Sequence, residues 1–353
     1  MSRGTAPELS QAEIFRRIIR SSGPIGLAHY MGESNARYYA ARDPLGQAGD
    51  FVTAPEISQM FGELVGLWLA DMWVRAGRPE PALYVELGPG RGTLAKDALR
   101  SAGRYGLAPE VHFVETSQGL RDLQQDALPE AQFHDDLSTV PMDGPLLLVA
   151  NEFLDALPVR QLVRTPDGWR ERLVGLDGED FVFVAGQQPM DSALPEDRRD
   201  APEGTVIETS PAASAVLYEV AGRLAEQGGA ALFIDYGHAE PRTGGTVQAV
   251  KDHRKLDLFA APGEADLTAH VDFATGARIA GARGAKWLGT TTQGAWLRAL
   301  GLDARCENLA TQAPHYRAEL ERARDRLAAP GQMGELFKVM GLAGPRWPDG
   351  AGF

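Results

Sequence analysis

The sequence has a single cysteine, Cys306, among its 353 residues. One cysteine cannot form an intramolecular disulfide, and it cannot build a cysteine-based zinc cluster, which needs several thiolates. The neighbouring residues 302–307 are typical of a late β-strand, so Cys306 is not predicted to be a nucleophile. We therefore predict that the chain belongs to a reducing compartment.

Long hydrophobic runs and an excess of basic residues are also missing. No stretch reaches the roughly 20 apolar residues that a membrane-spanning helix needs, and the N-terminus has no apolar signal core. The 35 basic residues are outnumbered by 48 acidic ones, which gives a formal net charge of −13. A general nucleic-acid binder needs a basic face, so nucleic acid is not predicted as a partner. These absences predict a soluble, cytoplasmic protein without a membrane span.

From residue 83 onward, apolar runs alternate with helical patterns. The apolar runs predict strands at Leu83–Leu87, Val111–Glu115, Ala131–His134, Leu146–Ala150 and Ala230–Ile234. Strands that alternate with helices fold into a parallel sheet with helices on both faces, and ligands bind at the carboxyl ends of such strands. We therefore predict an α/β protein with a doubly wound, Rossmann-like sheet.

Segments outside this alternation predict further structure. A first helix is predicted from Ser10, with Glu13 completing a capping box, and a long amphipathic helix is predicted after residue 51. The predicted division is an N-terminal helical extension or lid (1–78), a core (79–158 and 206–353), a β-rich insertion (159–205) and a second, polar excursion with few strand signals that shapes the substrate cleft (237–286).

A glycine-rich turn follows the first predicted strand of the sheet. Gly88, Gly90 and Gly92 stand between that strand and a helix-forming stretch. Glycines let a ligand approach the backbone and a helix start offers unpaired N–H groups, so the turn predicts a site for a nucleotide-like ligand. A dinucleotide fingerprint has a small residue where Thr93 stands. The acid Glu86 instead fits the E/D-x-G-x-G pattern of enzymes that bind S-adenosylmethionine (SAM), so the turn favours SAM over NAD.

Acidic residues follow the next two strands, where a doubly wound sheet presents its ligands. Glu115 ends the second strand, and a carboxylate there can accept both ribose hydroxyls of a nucleoside, in SAM and NAD enzymes alike. Asp135 and Asp136 follow the third strand, where an acid can accept the adenine amino group, with a loop or helix cap as the alternative. These acids predict an adenosine-type ligand.

Polar residues also follow the fourth and fifth strands. Asn151 and Glu152 place a carboxylate beside the reactive end of the cofactor, and the alternative is an acid at a helix N-terminus bonded to backbone N–H groups. The segment Asp235–His238 points into the same crevice, but a metal is not predicted because no H-E-x-x-H or comparable ligand set is present. Thr53 and Glu56 have the spacing of a capping box, which gives Glu56 a structural alternative to a functional role.

Together these residues resemble the MidA-type family of class I SAM-dependent methyltransferases, which includes the mitochondrial complex I assembly factor that methylates an arginine. The blocks that carry the resemblance are Gly49–Gln59, Glu86–Leu94, Asn151–Val159, Asp235–His238, Ala261–Thr268, Val271–Phe273 and Met333–Glu335. They occur in order over most of the chain, and their joint presence is far more specific than the glycine turn alone. Leu154 stands where many members have a second phenylalanine, and it conserves the apolar character of that position.

The resemblance implies SAM as the methyl donor and a protein with an accessible arginine as the acceptor. A site surrounded by carboxylates suits a guanidinium group, which pairs with them through a planar fork of donors. On this hypothesis Glu152, helped by Asp155 or Glu56, orients the acceptor as the catalytic residue. The residues predicted to bind the cofactor are Glu86, Gly88, Gly90, Gly92, Glu115, Asp136 and Asn151, and those predicted to line the substrate cleft are Asp50, Thr53, Asp235, Tyr236, His238 and Asp266.

The leading prediction is therefore a SAM-dependent protein arginine methyltransferase of the type that supports respiratory complex I assembly. A small-molecule methyltransferase, the first alternative, would have a deep, closed pocket rather than an open acidic groove. A non-catalytic assembly or chaperone-like protein would keep the fold without catalysis, and an NAD oxidoreductase is disfavoured by Thr93. A homodimer is left open. The sequence shows no mitochondrial targeting peptide, which favours a bacterial-type, cytoplasmic relative.

Overall fold

A computed structural model describes residues 9–41, 53–194, 199–252 and 254–353. Its helices are α1 (Gln11–Ser22), α2 (Leu27–Ala41), α3 (Ala54–Ile57), α4 (Gln59–Arg75), α5 (Thr93–Gly103), α6 (Gln118–Ala127), α7 (Pro211–Gln227), α8 (Phe273–Arg283), α9 (Gln293–Ala299), α10 (Leu302–Gln312), α11 (Arg317–Ala328) and α12 (Met333–Leu336). Its strands are β1 (Ile25–Gly26), β2 (Leu83–Leu87), β3 (Glu110–Val114), β4 (Gln132–His134), β5 (Leu146–Asn151), β6 (Arg160–Thr165), β7 (Gly168–Asp177), β8 (Asp180–Pro189), β9 (Val206–Thr209), β10 (Gly229–His238), β11 (Gln248–Lys251), β12 (Arg254–Leu256), β13 (Asp266–Thr268), β14 (Val271–Asp272), β15 (Lys286–Thr292) and β16 (Phe337–Ala343).

The chain divides into two compact units. Unit 1 consists of Met1–Arg42, Ala156–Ala212 and Arg242–Ala269, and unit 2 of Asp43–Asp155, Ala213–Pro241 and His270–Phe353. The predicted extension 1–78 is therefore split, because α1 and α2 belong to unit 1 whereas α3 and α4 belong to unit 2. Likewise, much of the predicted second excursion joins the β-rich insertion in unit 1.

Unit 2 contains the doubly wound sheet that the sequence predicts. Its strands lie in the order β15-β16-β10-β5-β2-β3-β4, with β14 beside β10. Strands β4, β3, β2, β5 and β10 are mutually parallel, and β16 runs antiparallel to both β10 and β15. The chain leaves β2 for β3 on one side and returns to β5 on the other. This reversal places the carboxyl end of β2 where such sheets bind their ligands, and the predicted fold class is confirmed.

Helix α4 is buried on nearly all sides rather than amphipathic. Its residues Met60, Phe61 and Trp68 are fully buried in the core of unit 2. The long helix predicted after residue 51 is also interrupted, because Ser58 adopts an extended conformation and its side chain caps the start of α4. Gly66 lies directly against α5, since a Cβ atom there would be 2.0 Å from the carbonyl oxygen of Ala98.

Unit 1 is rich in antiparallel strands. One sheet has the order β1-β7-β6-β9, with β8 paired to β7, and a second sheet has the order β12-β11-β13. The capping box predicted for α1 is present: the Ser10 side chain accepts the Glu13 N–H at 3.3 Å, and Glu13 accepts the Ser10 N–H at 2.8 Å. The expectation of few strands in the polar excursion is wrong, because β11, β12 and β13 lie within it.

The late strand predicted at residues 302–307 is a helix, α10. Its buried residues Leu302, Cys306 and Ala310 recur every four positions, which is the spacing of one helical face. Gly301 precedes it in a left-handed conformation and marks the start of the helix. Over the part of the chain that the structure describes, none of the helices combines the length and apolar character needed to span a membrane.

Candidate active site

The glycine turn lies at the carboxyl end of β2. Gly88, Gly90 and Gly92 have φ values of 61°, 57° and 77°, in the left-handed region that glycine adopts without steric cost. Gly92 is the N-cap of α5, and its N–H donates to the carbonyl of Pro89 at 2.8 Å. A Cβ atom at Gly88 would lie 2.8 Å from Cδ2 of Phe153, in the loop after β5. Phe153 therefore packs directly against the bare backbone at Gly88, where a side chain would collide with it.

Glu86 lies within β2, two residues before Gly88, and is buried. Its Oε2 accepts a hydrogen bond from the Tyr84 hydroxyl at 2.5 Å. Burial raises the pKa of the Glu86 carboxyl to about 8, and the hydrogen bond from Tyr84 opposes this rise. Direct cofactor binding by Glu86 stays a prediction.

The buried carboxyl of Glu86 should make stability depend on pH. The native state keeps this proton up to about pH 8, whereas an unfolded chain releases it at about pH 4.3. The free energy of unfolding therefore falls as the pH rises between these values, because the unfolded state binds fewer protons. Glu86→Gln removes this loss, so the stability of the variant relative to wild type should increase by roughly 4 kcal/mol between pH 5 and pH 9.

Urea denaturation at both pH values measures this difference. Glu130→Gln, at an exposed position, is the matched control and should show no such trend. A Glu86→Gln difference that is the same at pH 5 and pH 9 would contradict the assignment.

Glu115 follows β3, at the position predicted for a ribose ligand. Its Oε1 accepts the Ser117 N–H at 2.8 Å, and its Oε2 lies 3.4 Å from Nε2 of Gln124. The same Gln124 amide donates to the carbonyl of Gly90 at 2.7 Å. Gln124 is fully buried, and its Oε1 has no hydrogen-bond partner among the described residues. Gln124 thus joins the carboxylate to the glycine turn, and no sequence motif marked it because it lies in the middle of α6.

The acids that follow β4 have local partners. Asp135 pairs with Arg121 at 2.6 Å and is largely exposed. Asp136 is the N-cap of a short 3-10 turn, where its Oδ1 accepts the Ser138 N–H at 2.8 Å. Hydrogen bonds from Ser138 lower the pKa of Asp136. Asp136 therefore has the capping role that the sequence analysis gave as the alternative to adenine recognition. Adenine recognition by Asp136 stays a prediction.

Glu152 lies in a loop directly after β5 and has a strained backbone. Its φ of 51° is in the left-handed region, which is uncommon for a residue other than glycine. Its Oε1 accepts the Ala54 N–H and Nδ2 of Asn151, both at 3.3 Å. The Oδ1 of Asn151 is buried without a hydrogen-bond partner among the described residues. Such strain concentrates at functional sites, where surrounding contacts maintain it.

The alternative role for Glu152 was an acid at a helix N-terminus bonded to backbone N–H groups, and the structure shows only the bond to a backbone N–H. No helix begins at Glu152 within the described chain, so the residue is not an acid in the first turn of its own helix. The backbone N–H that it accepts comes from Ala54, at the start of α3.

Glu152, Asp155 and Asp235 form an acidic cluster at the ends of β5 and β10. Asp235 is buried: its Oδ2 accepts the N–H groups of Leu154 at 3.0 Å and Asp155 at 3.2 Å, and its Oδ1 accepts that of Tyr236 at 2.9 Å. Burial, followed by the charges of Asp155 and Glu152, raises the pKa of Asp235 well above its usual range. The predicted position of Asp235 in the substrate cleft is therefore corrected, because its side chain holds the loop after β5.

Tyr236 and His238 lie at the end of β10. The Tyr236 ring packs edge-on against Phe337, with ring centroids 5.6 Å apart. His238 Nδ1 donates to the carbonyl of Glu240 at 2.7 Å and lies 3.9 Å from Oδ1 of Asp272. Their role in acceptor binding stays a prediction. No group of three or more His, Cys, Asp and Glu side chains able to hold a metal occurs among the residues that the structure covers.

The capping box predicted for Thr53 and Glu56 is wrong. Thr53 precedes α3 without a side-chain cap bond, and Oε1 of Glu56 instead accepts the Thr93 hydroxyl at 2.6 Å. An ionised acceptor makes this a charge-assisted bond, which is stronger than a bond to a neutral group. Asp266 belongs to unit 1, where it is buried and accepts the Tyr39 hydroxyl at 2.9 Å. Asp50 lies outside the described residues.

These residues fit an adenosyl cofactor. The backbone turn, the ribose-position carboxylate of Glu115 and the orphaned amide oxygen of Gln124 together offer donors and acceptors to such a ligand. Gly88, Gly90, Gly92, Glu115 and Gln124 would hold it.

A family model for S-adenosyl-L-methionine-dependent methyltransferases matches residues 64–291. The match covers more than half of the chain, so the chain belongs to this family of SAM-dependent methyltransferases. The resemblance found in the sequence is confirmed, and so is SAM as the cofactor.

Curated relatives align with nearly the whole chain. The chain is 37% identical over 365 residues to the human mitochondrial protein arginine methyltransferase NDUFAF7, an alignment that covers 92% of this chain and 81% of the relative. It is 37% identical over 376 residues to the Drosophila melanogaster homologue, with 94% and 84% covered. A methyltransferase-like protein from Burkholderia thailandensis, crystallised with S-adenosyl-homocysteine (SAH), has a TM-score of 0.83 at 29% identity, with 96% and 95% covered.

The predicted cytoplasmic location is wrong by this comparison. The curated relatives are mitochondrial proteins, in vertebrates and in Drosophila melanogaster alike. They point to mitochondria rather than to the cytoplasm.

The glycine turn gives a direct test of cofactor binding. Gly88→Ala places a Cβ atom against Phe153 and forces alanine into a left-handed conformation. We expect the Kd for SAH to rise by about 10-fold or more. Gly119→Ala, in α6 with open space around it, is the control and should bind SAH like wild type. Titration calorimetry decides, and equal affinities for the two variants would show that the turn does not cradle the ligand.

Proposed function

We propose that this methyltransferase modifies the guanidinium group of an arginine in a protein. The observation that carries the proposal is the carboxylate of Glu152, held in a strained loop by the Ala54 N–H and the Asn151 amide. A carboxylate in a fixed orientation suits the planar fork of a guanidinium group. Relatives named as protein arginine methyltransferases support the same acceptor.

The residues of the chain would act chiefly by positioning. Bound SAM supplies an electrophilic methyl group. Glu152 would accept N–H groups of the guanidinium and direct one nitrogen toward the cofactor site, with Asp155 next to it in the acidic cluster. Arginine has a pKa above about 12, so full deprotonation before transfer is unfavourable. Orientation therefore accounts for most of the expected rate enhancement.

The acceptor protein can be described further by its biological context and by its charge. The relatives that carry the name NDUFAF7 support an acceptor connected with the assembly of respiratory complex I, as the family resemblance implies. The net charge of −13 favours a basic protein partner over nucleic acid. A homodimer stays a prediction.

A labelling experiment tests the acceptor. The protein is incubated with methyl-labelled SAM and cell lysate, and the label is located by tandem mass spectrometry. We expect the label on arginine side chains of a small set of proteins, and none when excess SAH is added. Label on metabolites alone, or on residues other than arginine, would contradict the proposal.

A further inference from the structure

Helix α3 contacts both halves of the site through side-chain hydrogen bonds. At its start, the Ala54 N–H donates to Oε1 of Glu152 at 3.3 Å. Within the same turn, Oε1 of Glu56 accepts the Thr93 hydroxyl at 2.6 Å. Thr93 is the first residue of α5, directly after the glycine turn. One short helix thus joins the cofactor turn to the carboxylate after β5.

Packing holds α3 between these two bonds. Ala54 is fully buried in the core of unit 2, and Ile57 packs against the same core. Ser58 then adopts an extended conformation and caps α4, so α3 is fixed at its end as well. Because close-packed interiors transmit displacement rather than absorb it, a shift at Glu56 reaches Ala54 through a single turn.

The bond between Thr93 and Glu56 has no local explanation. Gly92 occupies the N-cap position of α5, so the Thr93 hydroxyl is one residue past the usual capping site. It donates instead to a carboxylate 37 residues away in sequence. A charge-assisted bond of this length fixes both partners more firmly than a neutral one.

We infer that Thr93 and Glu56 form a positioning pair that sets the orientation of Glu152 through α3. The inference rests on the proposed function, because it takes Glu152 to orient the acceptor. Glu152 keeps its left-handed backbone only while its surroundings hold it, and the Ala54 N–H is one of those contacts. Loss of the Thr93–Glu56 bond therefore lowers turnover and leaves cofactor affinity largely intact.

Hydrogen exchange at the Ala54 amide measures this link without any acceptor. In Thr93→Val, which removes the hydroxyl at nearly constant volume, we expect the Ala54 amide to exchange about 10-fold faster than in wild type. Thr93→Ser keeps the hydroxyl and should exchange like wild type. The Kd for SAH, measured by calorimetry, should stay within about threefold for both variants.

Turnover distinguishes positioning from a merely structural role. At saturating labelled SAM, with lysate protein as the acceptor, Thr93→Val should transfer label about 10-fold more slowly, and Thr93→Ser should restore the rate. In a Glu152→Gln background, Thr93→Val should cause no further loss, because the pair acts through Glu152.

Two results would overturn the inference: unchanged exchange at Ala54 in Thr93→Val, or a defect of that variant confined to SAH affinity. If Thr93→Val does not fold, Glu56→Ala removes the acceptor of the same bond, and the same exchange and turnover results are expected of it. A wild-type protein that labels no arginine would contradict the proposed function, while the exchange measurement still decides whether α3 links the two loops.

Discussion

Replacing Glu152 with glutamine should lower the turnover number by about 100-fold or more, because the amide can neither carry the charge nor offer two acceptor oxygens to a guanidinium. Glu152 is held by the Ala54 N–H and the Asn151 amide, and glutamine keeps its size. The Kd for SAH should change by less than about threefold, since the glycine turn and Glu115 are the groups that we propose to hold the cofactor. Initial rates with labelled SAM, together with calorimetry, measure both quantities.

The control for this experiment is Glu130, an exposed acidic residue that belongs to unit 2, as Glu152 does. Glu130→Gln removes a carboxylate at an exposed position that makes none of the site contacts described above, and it should keep the wild-type rate and the wild-type affinity. If Glu152→Gln turned over at the wild-type rate while SAH still bound, Glu152 would not orient the acceptor. If both rate and affinity collapsed together, its effect would be on the cofactor site or on folding.

The second large effect concerns stability. Gly66→Ala should lower the free energy of unfolding by about 3 kcal/mol or prevent folding, because the added Cβ atom would lie 2.0 Å from the Ala98 carbonyl oxygen. Backbone cannot rotate away as a side chain can, so α4 and α5 would have to separate. Since α5 begins at the glycine turn, this separation should also weaken SAH binding. Urea denaturation and calorimetry measure the two effects.

A second helical glycine provides the matched control. Gly281 lies in α8 with no heavy atom within 4 Å of the added Cβ position. Gly281→Ala should raise stability by about 0.5–1 kcal/mol, because alanine has the higher helix propensity. Equal effects at Gly66 and Gly281 would show that the contact between α4 and α5 is not close-packed.

The fold could be predicted where local pattern and tertiary burial agree. The apolar run Leu83–Leu87 is the strand β2 with both bounds correct, because every residue in it is buried. The hydrophobic pattern did not predict the secondary structure correctly where apolar residues were few or were interspersed with polar ones. Polar residues alternate with apolar ones between Leu302, Cys306 and Ala310, and this mixture masked the helical spacing of α10. The strands of residues 242–269 pair with one another, and such pairing is not visible in a polar sequence.

The site could be predicted only in its outline. The positions of Glu115 and Glu152 at the ends of their strands could be predicted, because a parallel sheet brings its carboxyl ends together. Their supports were not, because each comes from a distant element without a motif. Gln124 reaches the glycine turn from α6, and Thr93 bonds to Glu56 across 37 residues. Asp235 was predicted as a cleft residue because its position in sequence is right, whereas its burial depends on the folded loop after β5.

The central claim is that this site transfers a methyl group from SAM to a protein arginine. Its most direct test is the initial rate of methylarginine formation, measured by amino-acid analysis of acid-hydrolysed protein. Wild type and Glu152→Gln are compared side by side, after calorimetry has shown that both bind SAH with the same affinity. We expect methylarginine from the wild type and about 100-fold less from the variant. Transfer to another residue type, or equal methylarginine from both proteins, would contradict the claim.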